Sequence, residues 1–163
     1  MSDLESLKID LKELKEGVTT LDFILDDTFF DSIDATEIKR GRVDAALSIR
    51  KTENYFHFVA DLKGLVVIPC DRCLDDMEQQ IETTDEMSVV EDDTEDGVVD
   101  ISWWLYENMV LNIPIQHVHD TGKCNVAMLK VLEEHSATRS SDKDEDNVNP
   151  MWAKLQGLKE KLN

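Results

Sequence analysis

Two cysteines separated by two residues, Cys70 and Cys73, are the side chains of this sequence with the clearest capacity for chemistry. The β-favouring apolar run 65–68 and Pro69 precede them, which predicts a tight reversal at the end of a strand. Such a turn directs both thiols to one side. That arrangement suits half of a tetrahedral metal site, and it also suits a redox pair.

A closed zinc site needs four nitrogen or sulfur ligands, and the rest of the chain offers candidates. Cys124 is the third cysteine, and His117, His119 or His135 could supply an imidazole. The first two of these histidines lie two residues apart, so in an extended segment they share a face. We hypothesise a zinc site formed by the three cysteines and one histidine. The alternative is that Cys124 is a small buried hydrophobic residue and the histidines are polar surface residues.

A thiol oxidoreductase is the competing chemistry, and the sequence disfavours it. A reactive Cys-x-x-Cys thiol usually lies at a helix N-terminus within a βαβ unit, whereas this pair lies between two strand-like segments. Asp71, Asp75 and Asp76 are expected to raise the thiol pKa, and Arg72 offsets them only in part. No phosphate-binding loop, nucleophile elbow or zinc-protease motif occurs, so we expect no enzymatic activity and assign no catalytic residue.

The formal net charge of -19 dominates the composition. A polyanion repels phosphate backbones, so direct nucleic-acid binding is disfavoured, and the same field attracts basic proteins. The charged N-terminus, the odd number of cysteines and the lack of an apolar run of about 20 residues predict a cytoplasmic protein with no membrane span.

Alternating apolar residues predict a curved antiparallel β-meander in the first half of the chain. The pattern is clearest over residues 43–49 and 56–68, and residues 77–90 can return antiparallel to the second segment. The cysteine turn would then close a long hairpin. Gly64 within the second segment is expected to mark a β-bulge.

Shorter patterns precede the meander. Residues 7–11 and 18–25 alternate as well, and we expect two strands joined by a turn at Gly17. Asp26 is expected to cap a helix of one or two turns that ends near Ile33.

The second half of the chain predicts a helix buried against the sheet. Asp100 can cap a helix over residues 101–111, and Pro114 ends it. Its apolar ridge predicts burial, with Trp103 and Trp104 in the core. The fold class is therefore α+β, a curved antiparallel β-meander with one buried helix packed on it, plus short C-terminal helices.

The remaining segments set the domain organisation. A helix capped by Asn125 is expected to end near His135, with Val126, Leu129 and Leu132 buried.

We predict one domain over residues 1–135, a flexible acidic and polar linker over 136–149, and an amphipathic helix over 150–163. Such a helix either folds back or docks on a partner, so its apolar face and a lysine are candidate partner-binding residues. They are Trp152, Lys154, Leu155 and Leu158.

Four segments together resemble the YceD family, the large ribosomal RNA subunit accumulation proteins. They are residues 67–74 (VIPCDRCL), 99–101 (VDI), 111–115 (LNIPI) and 149–155 (NPMWAKL). The last is similar to the Asp-Pro-x-Trp-Ala-x-Leu ending of many members. The four segments resemble the family in their order and spacing, and together they span most of the chain.

The resemblance implies a small cytosolic protein of bacteria or plastids that supports large-subunit ribosomal RNA accumulation, often encoded beside a ribosomal protein. Many members have further cysteines after the proline-containing segment, which would complete a metal site. This sequence departs there, with only Cys124 and the nearby His117 and His119.

Combined with the charge, this resemblance implies a non-enzymatic factor in large ribosomal subunit biogenesis. Its partners would be ribosomal or ribosome-assembly proteins, or the large-subunit precursor. The alternatives are a zinc-stabilised protein-interaction module without a ribosomal role and a thiol oxidoreductase.

Overall fold

A computed structural model describes residues 4–33, 36–53, 55–90, 92, 94 and 96–136. Its elements are a 3-10 helix (Leu4–Leu7), β1 (Lys8–Asp10), β2 (Gly17–Leu25), α1 (Asp27–Ile33), β3 (Arg40–Lys51), β4 (Phe56–Pro69), β5 (Asp76–Val89), β6 (Val98–Asp100), α2 (Ser102–Asn112) and α3 (Val126–Glu134). The chain forms two compact units, Met1–Leu129 and Lys130–Asn163, and the structure describes the second only as far as Ser136.

Four strands form an antiparallel sheet in the order β2-β3-β4-β5, which confirms the predicted α+β class and the antiparallel arrangement. Alternate residues of β3 and β4 are buried, because successive side chains of a strand point to opposite faces. They define the inner face of the sheet: Val43, Ala45, Leu47, Ile49, Phe56, Phe58, Ala60, Leu62, Val66 and Ile68. β4 and β5 pair without interruption up to Pro69 and Asp76, so their hairpin closes at the cysteine turn.

Gly64 does not lie at a β-bulge, so that prediction is wrong. It pairs with Val43 on one side and Ile81 on the other, in unbroken register. A Cβ atom there would lie 2.2 Å from the carbonyl oxygen of Arg42 and 2.6 Å from the Cα atom of Val43. Glycine is required because β3 and β4 approach each other closely at this point.

The two predicted N-terminal strands are present, but they do not pair with each other. β1 pairs antiparallel with β6 in a separate two-stranded sheet, whereas β2 pairs with β3. The Leu11 N–H donates to the Gly97 carbonyl (2.9 Å), and the Ile101 N–H donates to the Leu7 carbonyl (3.1 Å). These contacts between residues far apart in the sequence tie the start of the chain to the start of α2.

α1 begins as expected, whereas α2 begins one residue later than predicted, at Ser102 with Ile101 as its N-cap residue. Asp26 Oδ1 accepts a hydrogen bond from the Thr28 N–H at the start of α1 (3.1 Å), and Asp100 Oδ1 accepts one from the Ser102 N–H at the start of α2 (2.9 Å). α2 ends at Asn112, where the next residue turns to extended backbone ahead of the proline.

α2 contributes to the core through Leu105, which has no exposed surface. Trp104 Nε1 donates to Asp85 Oδ2 (3.0 Å), which places the helix beside β5. Trp103 is 54% exposed, so its predicted core position is wrong. It lies two positions from Leu105, and residues two apart on a helix face nearly opposite directions.

α3 contains no buried residue, so the predicted burial of Val126, Leu129 and Leu132 is wrong. Its cap is present, because Asn125 Oδ1 accepts a hydrogen bond from the Ala127 N–H (3.0 Å). An amphipathic pattern identifies a face fit for burial but not the surface that would cover it.

The predicted linker beyond Ser136 and the C-terminal helix lie outside the described residues. The same holds for the candidate partner-binding residues Trp152, Lys154, Leu155 and Leu158. Among the helices that the structure describes, none has the length and apolar character needed to cross a membrane.

Candidate metal centre

The hairpin turn after β4 holds Cys70 and Cys73 with both side chains buried. The Leu74 N–H donates to the Cys70 carbonyl, and the Cys70 N–H donates to the Asp75 carbonyl, both at 2.9 Å. The Arg72 N–H points at Cys70 Sγ, 3.5 Å away. A backbone amide directed at a sulfur favours the thiolate form.

Leu74 adopts the left-handed conformation, with φ 62°, which suits glycine better than a residue with a Cβ atom. Its side chain is 62% exposed, so little packing offsets the strain. We expect Leu74→Gly to raise the free energy of unfolding by about 0.5–1 kcal/mol in urea denaturation. Leu65→Gly, at an exposed extended position of β4, should instead lower it. Destabilisation by Leu74→Gly would contradict strain at this position.

Asp71 and His117 tie the segment after α2 to the cysteine turn. The Asp71 N–H donates to the His117 carbonyl (2.9 Å), and the His117 N–H donates to Asp71 Oδ2 (2.8 Å). The imidazole of His117 also faces oxygen atoms, with Nε2 3.3 Å from Asp71 Oδ1 and Nδ1 3.1 Å from the Pro114 carbonyl oxygen. This histidine therefore holds the loop in place and does not face the cysteines.

Four side chains converge at the turn: Cys70, Cys73, His119 and Cys124, whose ligand atoms all lie within 4.8 Å of one another. Cys70 Sγ lies 3.9 Å from Cys124 Sγ. His119 Nδ1 lies 3.3 Å from Cys73 Sγ and 4.0 Å from Cys124 Sγ. The three predicted cysteines and one predicted histidine thus come together, and this cluster includes neither of the other two candidate histidines.

A hydrogen bond outside the cluster orients the ring of His119. Its Nε2 atom lies 3.2 Å from the Asp76 carbonyl oxygen, which can only accept, so Nε2 carries the proton. In the neutral form of His119, Nδ1 then carries the lone pair that can bind a metal beside the thiols. The sequence did not reveal this role of Asp76, because any residue type could supply the carbonyl.

The clustered groups shift one another's protonation. Burial opposes the thiolate of Cys70, but the backbone N–H groups of Cys73 and Arg72 outweigh it, and the net effect lowers the pKa of Cys70 to about 6. Burial, together with the sulfurs of Cys70 and Cys73, raises the pKa of Cys124 to about 11. Hydrogen bonds to Cys70 and Cys73 raise the pKa of His119. For Cys70, the predicted increase in pKa from nearby carboxylates is therefore wrong, because N–H groups of the turn point at its sulfur.

Three of the six separations between the ligand atoms are close to those around a tetrahedral zinc ion, and the other three do not exceed 4.8 Å. Zinc–sulfur bonds of about 2.3 Å and zinc–nitrogen bonds of about 2.0–2.1 Å imply roughly 3.8 Å between sulfurs and roughly 3.5 Å between sulfur and nitrogen. The observed distances of 3.9, 3.3 and 4.0 Å lie close to these values. Three sulfurs and one imidazole nitrogen are a donor set that structural zinc sites use.

A comparison with models of protein families identifies a match. The model described as "Large ribosomal RNA subunit accumulation protein YceD" matches residues 58–159, more than half of the 163 residues. The chain belongs to the YceD family. The resemblance noted in the sequence motifs is therefore confirmed. No curated protein and no solved structure matched this chain.

The YceD match covers the whole candidate metal centre. It begins inside β4 and continues through the cysteine turn, β5, α2 and the segment that carries His119 and Cys124. β2 and β3, which complete the sheet, precede it. The clustered side chains thus lie in the part of the chain that identifies the family.

Proposed function

We propose that this YceD protein is a non-enzymatic cytoplasmic factor that supports large-subunit ribosomal RNA accumulation and acts through ribosomal or ribosome-assembly proteins. The observation that carries the proposal is the family match over residues 58–159, because the name of the family states this role. The YceD family is not known as an enzyme family.

The charge distribution supports protein partners over direct contact with RNA. Acidic residues outnumber basic ones by 36 to 17. Several described basic side chains are already paired with carboxylates: Lys8 with Glu5, Lys39 and Arg40 with Asp76, Lys63 with Glu82, and Lys123 with Asp120. A phosphate backbone would be repelled over such a surface, whereas a basic protein would be attracted.

A structural zinc ion fits this role. Cys70, Cys73, His119 through Nδ1, and Cys124 would hold it, and the bound ion would supply a cross-link and no reaction step. The link would fix the segment after α2 against the β4–β5 turn. A rigid surface favours partner binding, since less conformational freedom is lost on association.

The clustered ligands also support a second candidate, a zinc-stabilised interaction module without a ribosomal role. A redox pair of thiols needs only two sulfurs, whereas here a third sulfur and an oriented imidazole converge on the same point. That convergence favours metal binding over thiol oxidoreductase activity. Measuring ribosomal RNA levels after gene deletion distinguishes the ribosomal role from the interaction module without such a role.

Deleting the gene is expected to lower the ratio of large- to small-subunit ribosomal RNA at least twofold, and the wild-type gene should restore it. In a sucrose gradient of wild-type lysate at low salt, the protein should migrate with large-subunit precursors. Higher salt should release it, because salt screens attraction between exposed charges.

A normal RNA ratio after deletion, with the protein confined to the top of the gradient, would refute the ribosomal role. The interaction module would remain if the purified protein still bound zinc. Purified protein that reduced insulin disulfides through Cys70, and lost that activity in Cys70→Ser, would instead establish the oxidoreductase.

A further inference from the structure

Among the described residues, β5 has hydrogen-bonded strand partners on one side only. It pairs with β4 along its whole length, and the sheet order ends at β5. Because the register is regular, the backbone N–H and C=O groups of every second residue face away from β4. Glu82 shows which set faces outward: its N–H donates to Asn112 Oδ1, and its C=O accepts from Asn112 Nδ2, both at 3.3 Å.

The outward groups beyond Glu82 form a free edge. Thr84, Glu86 and Ser88 have the same orientation as Glu82, and their side chains are exposed. Within the described chain, no hydrogen bond reaches their outward N–H or C=O groups. The Asn112 side-chain amide binds the outward backbone groups of Glu82, as a neighbouring strand would. In the part of the chain that the structure describes, it does not reach those of Thr84, Glu86 and Ser88.

The side chains of β5 define what can approach this edge. The strand contains five acidic residues and neither lysine nor arginine. The acidic residues are Asp76, Glu78, Glu82, Asp85 and Glu86. An unpaired strand edge offers backbone hydrogen bonds to any extended chain, and charge then selects among those chains.

We propose that the free edge of β5 over residues 84–88 binds an extended basic segment of a partner protein as an added strand. This inference rests on the proposed function and specifies its partner chemistry: a lysine- or arginine-rich segment with unblocked backbone amides. The backbone of the segment pairs with Thr84, Glu86 and Ser88, and its cations lie near the carboxylates of β5.

Charge disfavours a second copy of this chain as the occupant. Two β5 edges paired over residues 84–88 would bring Asp85 and Glu86 of one strand close to the same two residues of the other, and β5 itself supplies no lysine or arginine to offset them. Like charges on neighbouring strands are destabilising. A basic segment removes that repulsion and replaces it with attraction.

The test uses the full-length protein and two synthetic peptides with capped ends. One peptide alternates four lysines with four valines, and the other has the same sequence with every backbone nitrogen methylated. Amide exchange measured by NMR should show fast exchange at Thr84, Glu86 and Ser88 in the free protein. The first peptide should slow exchange at these amides at least tenfold, and the methylated peptide should not.

Matched variants separate backbone pairing from charge. Glu86→Gln and Glu86→Pro both remove the carboxylate, but only Glu86→Pro removes the outward N–H, which β4 does not use. We expect the lysine–valine peptide to bind Glu86→Pro at least tenfold more weakly than Glu86→Gln.

Three outcomes would overturn the proposal. They are equal binding by the two variants, equal binding of the two peptides, and slow exchange at the edge caused by dimerisation of the free protein. These three outcomes are measured on the purified protein. A failure of the ribosomal role would instead appear in the sucrose gradient and in the ribosomal RNA ratio, so the two failures can be distinguished.

Discussion

Replacing Cys73 with serine is expected to lower zinc affinity at least a hundredfold, or about 2.7 kcal/mol at 1.36 kcal/mol per tenfold change. The reason is that Cys73 Sγ is one of four converging ligand atoms and lies 3.3 Å from His119 Nδ1. Purified wild-type protein should contain about one zinc ion per chain by elemental analysis. Chelation should increase amide exchange in the segment from His117 to Cys124, because the ion fixes this segment to the turn.

The control is His117→Ala, a histidine two residues from His119 whose ring faces Asp71 and Pro114. It should retain the full zinc content even though it loosens the loop. Loss of zinc in His117→Ala, or unchanged zinc in Cys73→Ser, would contradict the assignment of ligands. Wild-type protein without zinc after growth in zinc-replete medium would contradict the metal site itself.

Gly64→Ala is expected to lower the free energy of unfolding by about 3 kcal/mol. The added Cβ atom would lie 2.2 Å from the Arg42 carbonyl oxygen and 2.6 Å from the Val43 Cα atom. Both are backbone atoms, so β3 and β4 must move apart and weaken their hydrogen bonds. Urea denaturation with a circular dichroism readout measures the change.

The direction of this effect is informative, because alanine in place of glycine within a strand normally stabilises by about 0.5–1 kcal/mol. Leu65→Ala is the control at the neighbouring position, which is half exposed, and it should cost less than about 1 kcal/mol. A stabilised Gly64→Ala protein would show that the two strands separate easily at this point.

The two histidines after α2 show how much of the candidate metal centre could be predicted from the sequence. Spacing identified the three cysteines and a nearby imidazole as candidates, because a tight turn between Cys70 and Cys73 is a local property. It could not choose between His117 and His119. That choice depends on Asp71 and on the Asp76 carbonyl, both more than forty residues away in the chain.

The sequence by itself determined the strands of the four-stranded sheet, the start of α1 at Asp26, the end of α2 and the acidic character, because each depends on near neighbours or on composition. Only the tertiary structure decided that β1 pairs with β6, that Gly64 serves a close strand contact, and that α3 has no buried residue. These outcomes depend on contacts between residues far apart in the chain. The periodicity of apolar residues indicates which residues can be buried or paired. Which residues they contact depends on the folded structure.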